Sequence, residues 1–195
     1  MSQQKHNDQF VDGRAQRTVR SRRKIIEAAF ELYARGTLVP TAQEIADQSG
    51  MGIRTVFRHF SEMESLFVEA DRLLHEQYAE QPHVQPEGGL AERSQQLVDE
   101  RARIFETYAP HIRATLVQKW RYKQLAKQYF KLCQDLMNQT LYFLPELQDK
   151  AAVKKAAVDF ALSFECWDRQ RTIEGKSKKA IREAMADTLA MLLKV

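Results

Sequence analysis

TAQEIADQSGMGIRTVFRHF, residues 41–60, is the stretch whose reading decides the fold. Thr41 and Glu44 stand at capping-box spacing, so the Thr41 hydroxyl can take the Glu44 amide and open a short helix over Ala42–Ser49. Ile45 and Ala46 face inward on that helix, and Gly50 supplies a tight turn. A second short helix follows over about Ile53–His59, with Val56 and Phe60 one turn apart on its buried side. Two helices that cross closely need a small residue at the contact, which Ala46 provides. Burying Val56 and Phe60 leaves Ile53, Arg54, Arg58 and His59 outward, a mixture of groups suited to base edges and phosphates. This is the pattern of a helix-turn-helix.

Upstream, Ile25, Ile26, Ala29, Phe30, Leu32 and Tyr33 recur at three- and four-residue spacing and predict a helix from Arg20 to a cap at Gly36. Residues 1–18 lack apolar periodicity and read as a disordered tail. Downstream, every periodic segment is helical, so the fold class is all-α. It comprises a three-helix DNA-binding domain over 19–62 and a larger helical body over 63–195. The body's predicted helices run Met63–Glu80, Leu90–Tyr108, His111–Trp120, Arg121 to Pro145, Glu146–Thr172 and Ser177–Lys194. The break between Leu90–Tyr108 and His111–Trp120 is assigned to Pro110. On Glu146–Thr172 the residues Phe160, Phe164 and Trp167 form one apolar stripe, and Ile181, Met185, Leu189 and Leu192 form another on the last helix.

The charge is uneven along the chain. Residues 1–60 hold ten Lys and Arg against six Asp and Glu, while the remaining residues balance, so the net +4 belongs to the helix-turn-helix end. A basic end on a neutral body is the footprint of a chain that sets one end on phosphate. No long apolar run and no apolar leader is present, which predicts a cytoplasmic protein. Cys133 and Cys166 lie inside apolar helical patterns and read as reduced core residues. His6, His59, His75, His83 and His111 are scattered without ligand spacing. Gly-rich phosphate loops, GxSxG, HExxH and CxxC are absent, so neither enzyme nor metal or other cofactor is expected.

Residues Arg20 to Leu66 resemble the DNA-binding domain of the TetR family of bacterial regulators. The resemblance rests on Ile25 to Ala29, Gly36, Thr41, Ile45-Ala46, Ser49-Gly50, Thr55 to Phe60 and Met63 to Leu66, in order and at matching spacing. It implies that Thr41 and Ala42 present helix amides to a phosphate and that Gln43 reaches a base or phosphate. Gly52, Ile53, Arg54 and Thr55 would enter the major groove, followed by Phe57, Arg58 and His59. Arg54 is the best candidate for a specific contact, because a guanidinium can bridge two guanine acceptors. Three positions depart from the family pattern. Gly52 replaces Ser or Thr, Phe57 replaces Tyr, and Met63 replaces Lys, which removes three phosphate anchors. Arg14, Arg17, Arg20, Arg22, Arg23 and Lys24, with Arg54 and Arg58, are expected to compensate.

For the body the resemblance implies a homodimer, with Phe160, Trp167, Ile181, Met185, Leu189 and Leu192 as interface residues and double-stranded DNA as partner. It also implies an effector cavity, for which Phe105, Tyr108, Trp120, Phe130, Cys133, Met137 and Phe164 are candidates. His111, Arg121 and Glu165 are candidates for an orienting contact. The expected effector is small and apolar or aromatic, and the expected activity is a ligand-responsive repressor of a near-palindromic operator. The helix Met63–Glu80 would act as the lever between the two sites. The competing reading is a helix-turn-helix protein with weak or lost DNA binding that acts through protein contacts of its body.

Overall fold

The computed structural model describes residues 13–81 and 84–194. Nine α-helices make up the described residues, with no strand among them: α1 Gly13–Ala34, α2 Ala42–Ser49, α3 Ile53–His59, α4 Met63–Ala79, α5 Leu90–Gln118, α6 Lys123–Phe143, α7 Ala152–Ala161, α8 Phe164–Thr172 and α9 Lys178–Leu193. A short 3-10 turn at Pro145–Leu147 follows α6. The chain divides into two compact units, one ending at Ala70 and one beginning at Asp71. No helix of the described residues is long and apolar enough to cross a membrane.

In the first unit, α1 packs on α2 and α3. Ile25, Ile26, Ala29, Ile45, Ala46, Val56 and Phe60 are its buried centre. Residues 13–18, expected in the tail, are helical, because α1 starts seven residues earlier than its apolar periodicity. The tail's first twelve residues, His6 among them, lie outside the described residues, as do Pro82 and His83. The boundary expected after residue 62 falls eight residues later. Leu66, Phe67 and Ala70 on the first part of α4 are buried, so the apolar stripe of that helix starts in the first unit.

The second unit is built on α5, against which α6, α8 and α9 pack. α5 runs unbroken through Pro110, contrary to the expected end before it. A proline removes one helical hydrogen bond, at roughly 3 kcal/mol. Here Tyr108, Ala109 and Ile112 on both sides of it are all buried in one core, which offsets that cost. The reverse correction applies to the helix expected over Glu146–Thr172, which is split. Ser163 takes an extended backbone and its hydroxyl accepts from the Cys166 amide at 3.2 Å, so α8 starts afresh with its own cap. The split separates the expected stripe: Phe164 and Trp167 are buried while Phe160 is 70% exposed.

Candidate nucleic-acid interface and effector cavity

The helix-turn-helix is held by local chemistry. The Thr41 amide donates to Glu44 Oε2 at 2.7 Å, and the Glu44 amide donates to the Thr41 hydroxyl at 3.2 Å, completing the capping box. The Thr41 amide and hydroxyl, both donating to Glu44 Oε2, hold the Glu44 carboxyl below the usual carboxylate range. At the other end of α2, Gly50 sits at φ 66°, a left-handed conformation that a side chain would strain. Its amide and that of Met51 close onto the Ala46 carbonyl, which turns the chain into α3.

On α3, Val56 is buried, while Ile53, Arg54, Phe57 and Arg58 are exposed and Thr55 and His59 are half-buried. One face therefore presents two guanidinium groups beside two apolar side chains. Burial, with Arg58 and Arg22 nearby, lowers His59 from its ordinary value and favours the neutral imidazole. Gly52 gives α3 an N-terminus without a side-chain cap. Thr41 and Gln43 are less free than the sequence suggests. The Thr41 amide and hydroxyl are both engaged by Glu44, and Gln43 Nε2 donates to Asp47 Oδ1 at 2.7 Å.

The basic cluster on α1 is also divided. Arg17, Arg20 and Lys24 are exposed, whereas Arg23 pairs with Glu27 at 2.9 Å. Arg22 is a clamp rather than a free cation. Its guanidinium donates to the His59 carbonyl at 2.5 Å and to both carboxylate oxygens of Glu69, and it lies 4.2 Å over the Phe60 ring. It thus ties α1 to the end of α3 and to α4. The Arg14 side chain lies outside the described residues.

The second unit contains two adjoining hollows. An apolar cavity of about 40 Å³ is walled by Asp71, Leu74, His75 and Tyr78 of α4, Ile104, Tyr108, Ile112 and Thr115 of α5, and Tyr129, Leu132 and Leu136 of α6. A groove of about 730 Å³ shares His75 and Tyr78 with it and extends over Glu100, Lys131, Asp135 and Tyr142. A third hollow, about 400 Å³, lies beyond α6, where Tyr129, Cys133, Phe164 and Glu165 meet Arg101. Arg101 is fully buried and donates to the carbonyls of Leu162 at 3.1 Å and Leu136 at 2.8 Å and to the Thr140 hydroxyl at 3.1 Å. Burial pushes its guanidinium down to about 10.

The expected effector residues scatter over these features. Tyr108 lines the apolar cavity, and Cys133 and Phe164 line the third hollow. Phe105 is fully buried in an aromatic cluster with Phe164 and Trp167. Trp120 and Phe130 are 85% and 63% exposed, so they wall none of the three. Met137 is half-buried and lines none of them either. Of the orienting candidates, His111 is pushed down to about 4 by burial, Arg121 is exposed and stacks on Tyr122, and Glu165 accepts the Tyr129 hydroxyl at 2.6 Å.

The expected interface residues differ in burial within the single chain. Trp167, Ile181, Met185 and Leu189 are buried in the chain's own core. Leu192 is half-buried, and Phe160 alone of the six is exposed. The sequence does not single out Asp71, His75, Tyr78 or Arg101, although one signal for Asp71 exists. It follows Phe67 by one turn and so interrupts the inward stripe of α4 with a carboxylate.

Residues 25–70 match the model for bacterial regulatory proteins of the tetR family. No curated protein sequence matches the chain. Among solved structures, the chain is similar to a transcriptional regulator from Rhodococcus sp. Rha1, with a TM-score of 0.67 and 19% identity, covering 89% of this chain and 96% of that one. It is also similar to a transcriptional regulator assigned to the TetR family from Mesorhizobium loti MAFF303099, with a TM-score of 0.60 and 15% identity, covering 91% and 97%. At these identities the likeness is one of fold.

Proposed function

We propose, from the match of residues 25–70 to the tetR family of bacterial regulatory proteins, that this chain is a DNA-binding transcriptional regulator of that family. It acts as a homodimer on a near-palindromic operator, and a small molecule bound in the helical body releases it. The single observation that carries the reading is the α2–α3 unit. A capped α2 and a left-handed Gly50 fix an α3 whose exposed face offers Arg54 and Arg58 to a groove. Arg54 reads a base edge, Arg58 and the exposed Arg17, Arg20 and Lys24 meet phosphates, and Ile53 contacts a thymine methyl. With Thr41 engaged by Glu44, the phosphate at α2 meets the remaining amides of its first turn.

The exposed Val153 and Phe160 of α7 and Met191 of α9, elements that pack on each other, are the apolar surface for the second copy. α4 supplies Leu66 and Phe67 to the core of the first unit and Leu74 and Tyr78 to the cavity of the second. Ligand in the cavity biases the setting of that helix and with it the spread of the recognition helices.

The test is selection from random DNA pools at moderate salt, with Arg54→Ala as control. A recovered near-palindrome whose discrimination falls by about 1–3 kcal/mol at one base pair in the variant supports the reading. A flat pool overturns it in favour of the alternative, a helix-turn-helix body that acts through protein contacts. The observation that favours this alternative is the loss of polar anchors at Gly52, Phe57 and Met63, with Phe57 46% exposed.

A further inference from the structure

We propose that the effector is a cationic amine on an aromatic or apolar body, and that Asp71 receives its charged head. The inference rests on the regulator reading for its consequence, but the site can be tested without DNA. Asp71 keeps only 10% of its side chain exposed. Its Oδ1 accepts the Thr115 hydroxyl at 3.0 Å, while Oδ2 is buried without a hydrogen-bond partner. His75 Nε2 lies 3.5 Å from Oδ2 and makes no hydrogen bond to it. A buried carboxylate with one oxygen unmet is costly, and an N–H donor carrying positive charge is the group that best offsets it.

The rest of the cavity fits the same ligand. Its walls are aliphatic apart from Asp71, His75, Thr115 and three tyrosines. The Tyr108 hydroxyl accepts from Gln81 at 2.7 Å and the Tyr78 hydroxyl from Gln139 at 3.4 Å, which leaves the rings as walls. Aromatic rings beside a carboxylate attract a cation. The cavity, about 40 Å³, has room for an ammonium head, close to one water in size, and the first carbons behind it. The adjoining groove of about 730 Å³ holds the body.

Charge selects the sign. The two hollows together are lined by Asp71, Glu76, Glu100 and Asp135 against Arg72 and Lys131. These pair off, Arg72 with Glu76 and Lys131 with Asp135, and Glu100 is held by Arg103 at 2.6 Å. Asp71, with only His75 beside it, is therefore the lining carboxylate that no Arg or Lys pairs, and a carboxylate ligand placed there would meet a like charge.

The test is calorimetric titration of the full chain at neutral pH with benzylammonium, benzyl alcohol and benzoate. Benzylammonium should bind at least about tenfold more tightly than benzyl alcohol, with benzoate weakest. Asp71→Asn should reduce the preference for the cation to within about twofold and leave benzyl alcohol unchanged. Tyr78→Leu, which keeps the carboxylate, should weaken benzylammonium more than benzyl alcohol and serves if the Asp71 variant does not fold. Equal binding of cation and alcohol, no binding of the cation, or a preference that survives Asp71→Asn overturns the inference. Retention on DNA, measured on the same preparation, separates the two claims. A protein that binds DNA without cation preference has a different effector, and one with cation preference that binds no DNA refutes the regulator reading alone.

Discussion

Replacing Arg22 by Met keeps the aliphatic stem and removes the guanidinium that ties α1 to His59, Glu69 and Phe60. The loss comprises the paired bonds to Glu69, one bond to a backbone carbonyl, and a cation over an aromatic ring. Charge-assisted bonds contribute about 1.5–3 kcal/mol when buried, but exposed pairs contribute about 0–1. The Arg22 and Glu69 side chains are 33% and 25% exposed, so the pair lies near the lower range. Taking about 1 kcal/mol for the pair and about 1 for the carbonyl and ring together gives a loss of about 2 kcal/mol, on the order of 30-fold in the folding equilibrium. Hydrogen exchange of the Val56 and Phe60 amides, which close on Gly52 and Val56, reads that loss locally in the first unit. A cycle with Glu69→Gln should return a coupling of about 1 kcal/mol. Protection lowered by less than about 0.5 kcal/mol, or effects of the two variants that simply add, would refute the clamp.

Other consequences are equally open to measurement. His111 falls to about 4 in the folded chain from an ordinary 6.5, because burial penalises the imidazolium. Between those values the unfolded chain binds the proton and the folded chain does not, so this contribution is whole above pH 6.5 and lost as pH falls toward 4. The loss should reach about 2 kcal/mol by pH 5, and denaturation of His111→Leu at the two pH values should show that part abolished. Arg101→Met should cost about 3 kcal/mol or more by leaving the Leu136 and Leu162 carbonyls without their donor. Arg101→Lys should restore less than half of that in chemical denaturation, since a single ammonium lacks the planar fork that reaches both carbonyls and Thr140.

The sequence by itself determined the helix-turn-helix. The capping box of Thr41 and Glu44, the left-handed turn at Gly50 and the one-turn spacing of Val56 and Phe60 act over three or four residues, so the pattern and the structure coincide. The exposed face of α3 follows from the same spacing, and Ile53, Arg54 and Arg58 stand where periodicity sets them. Local chemistry also carried a signal that the apolar pattern hid, for Ser163 has the side chain of a helix cap within an expected continuous helix.

Only the tertiary structure decided which polar groups are interior and which apolar ones are not. Nothing in the local pattern marks Arg101 as interior, yet it donates to carbonyls of α6 and of the end of α7, 35 and 61 residues away. Ile181, Met185 and Leu189 read as one apolar stripe, and only the structure shows that α5 and α7 pack on α9 and bury it within one chain. Pro110 reads as a helix end, and burial on both sides carries the helix through it. Asp71 belongs to the same class. Its spacing from Phe67 puts it on the inward stripe of α4, but only the approach of α5 and α6 turns that position into a carboxylate at the end of an apolar cavity. Helical periodicity fixes which residues share a face, whereas the neighbour that covers the face is chosen by contacts between residues far apart in the chain.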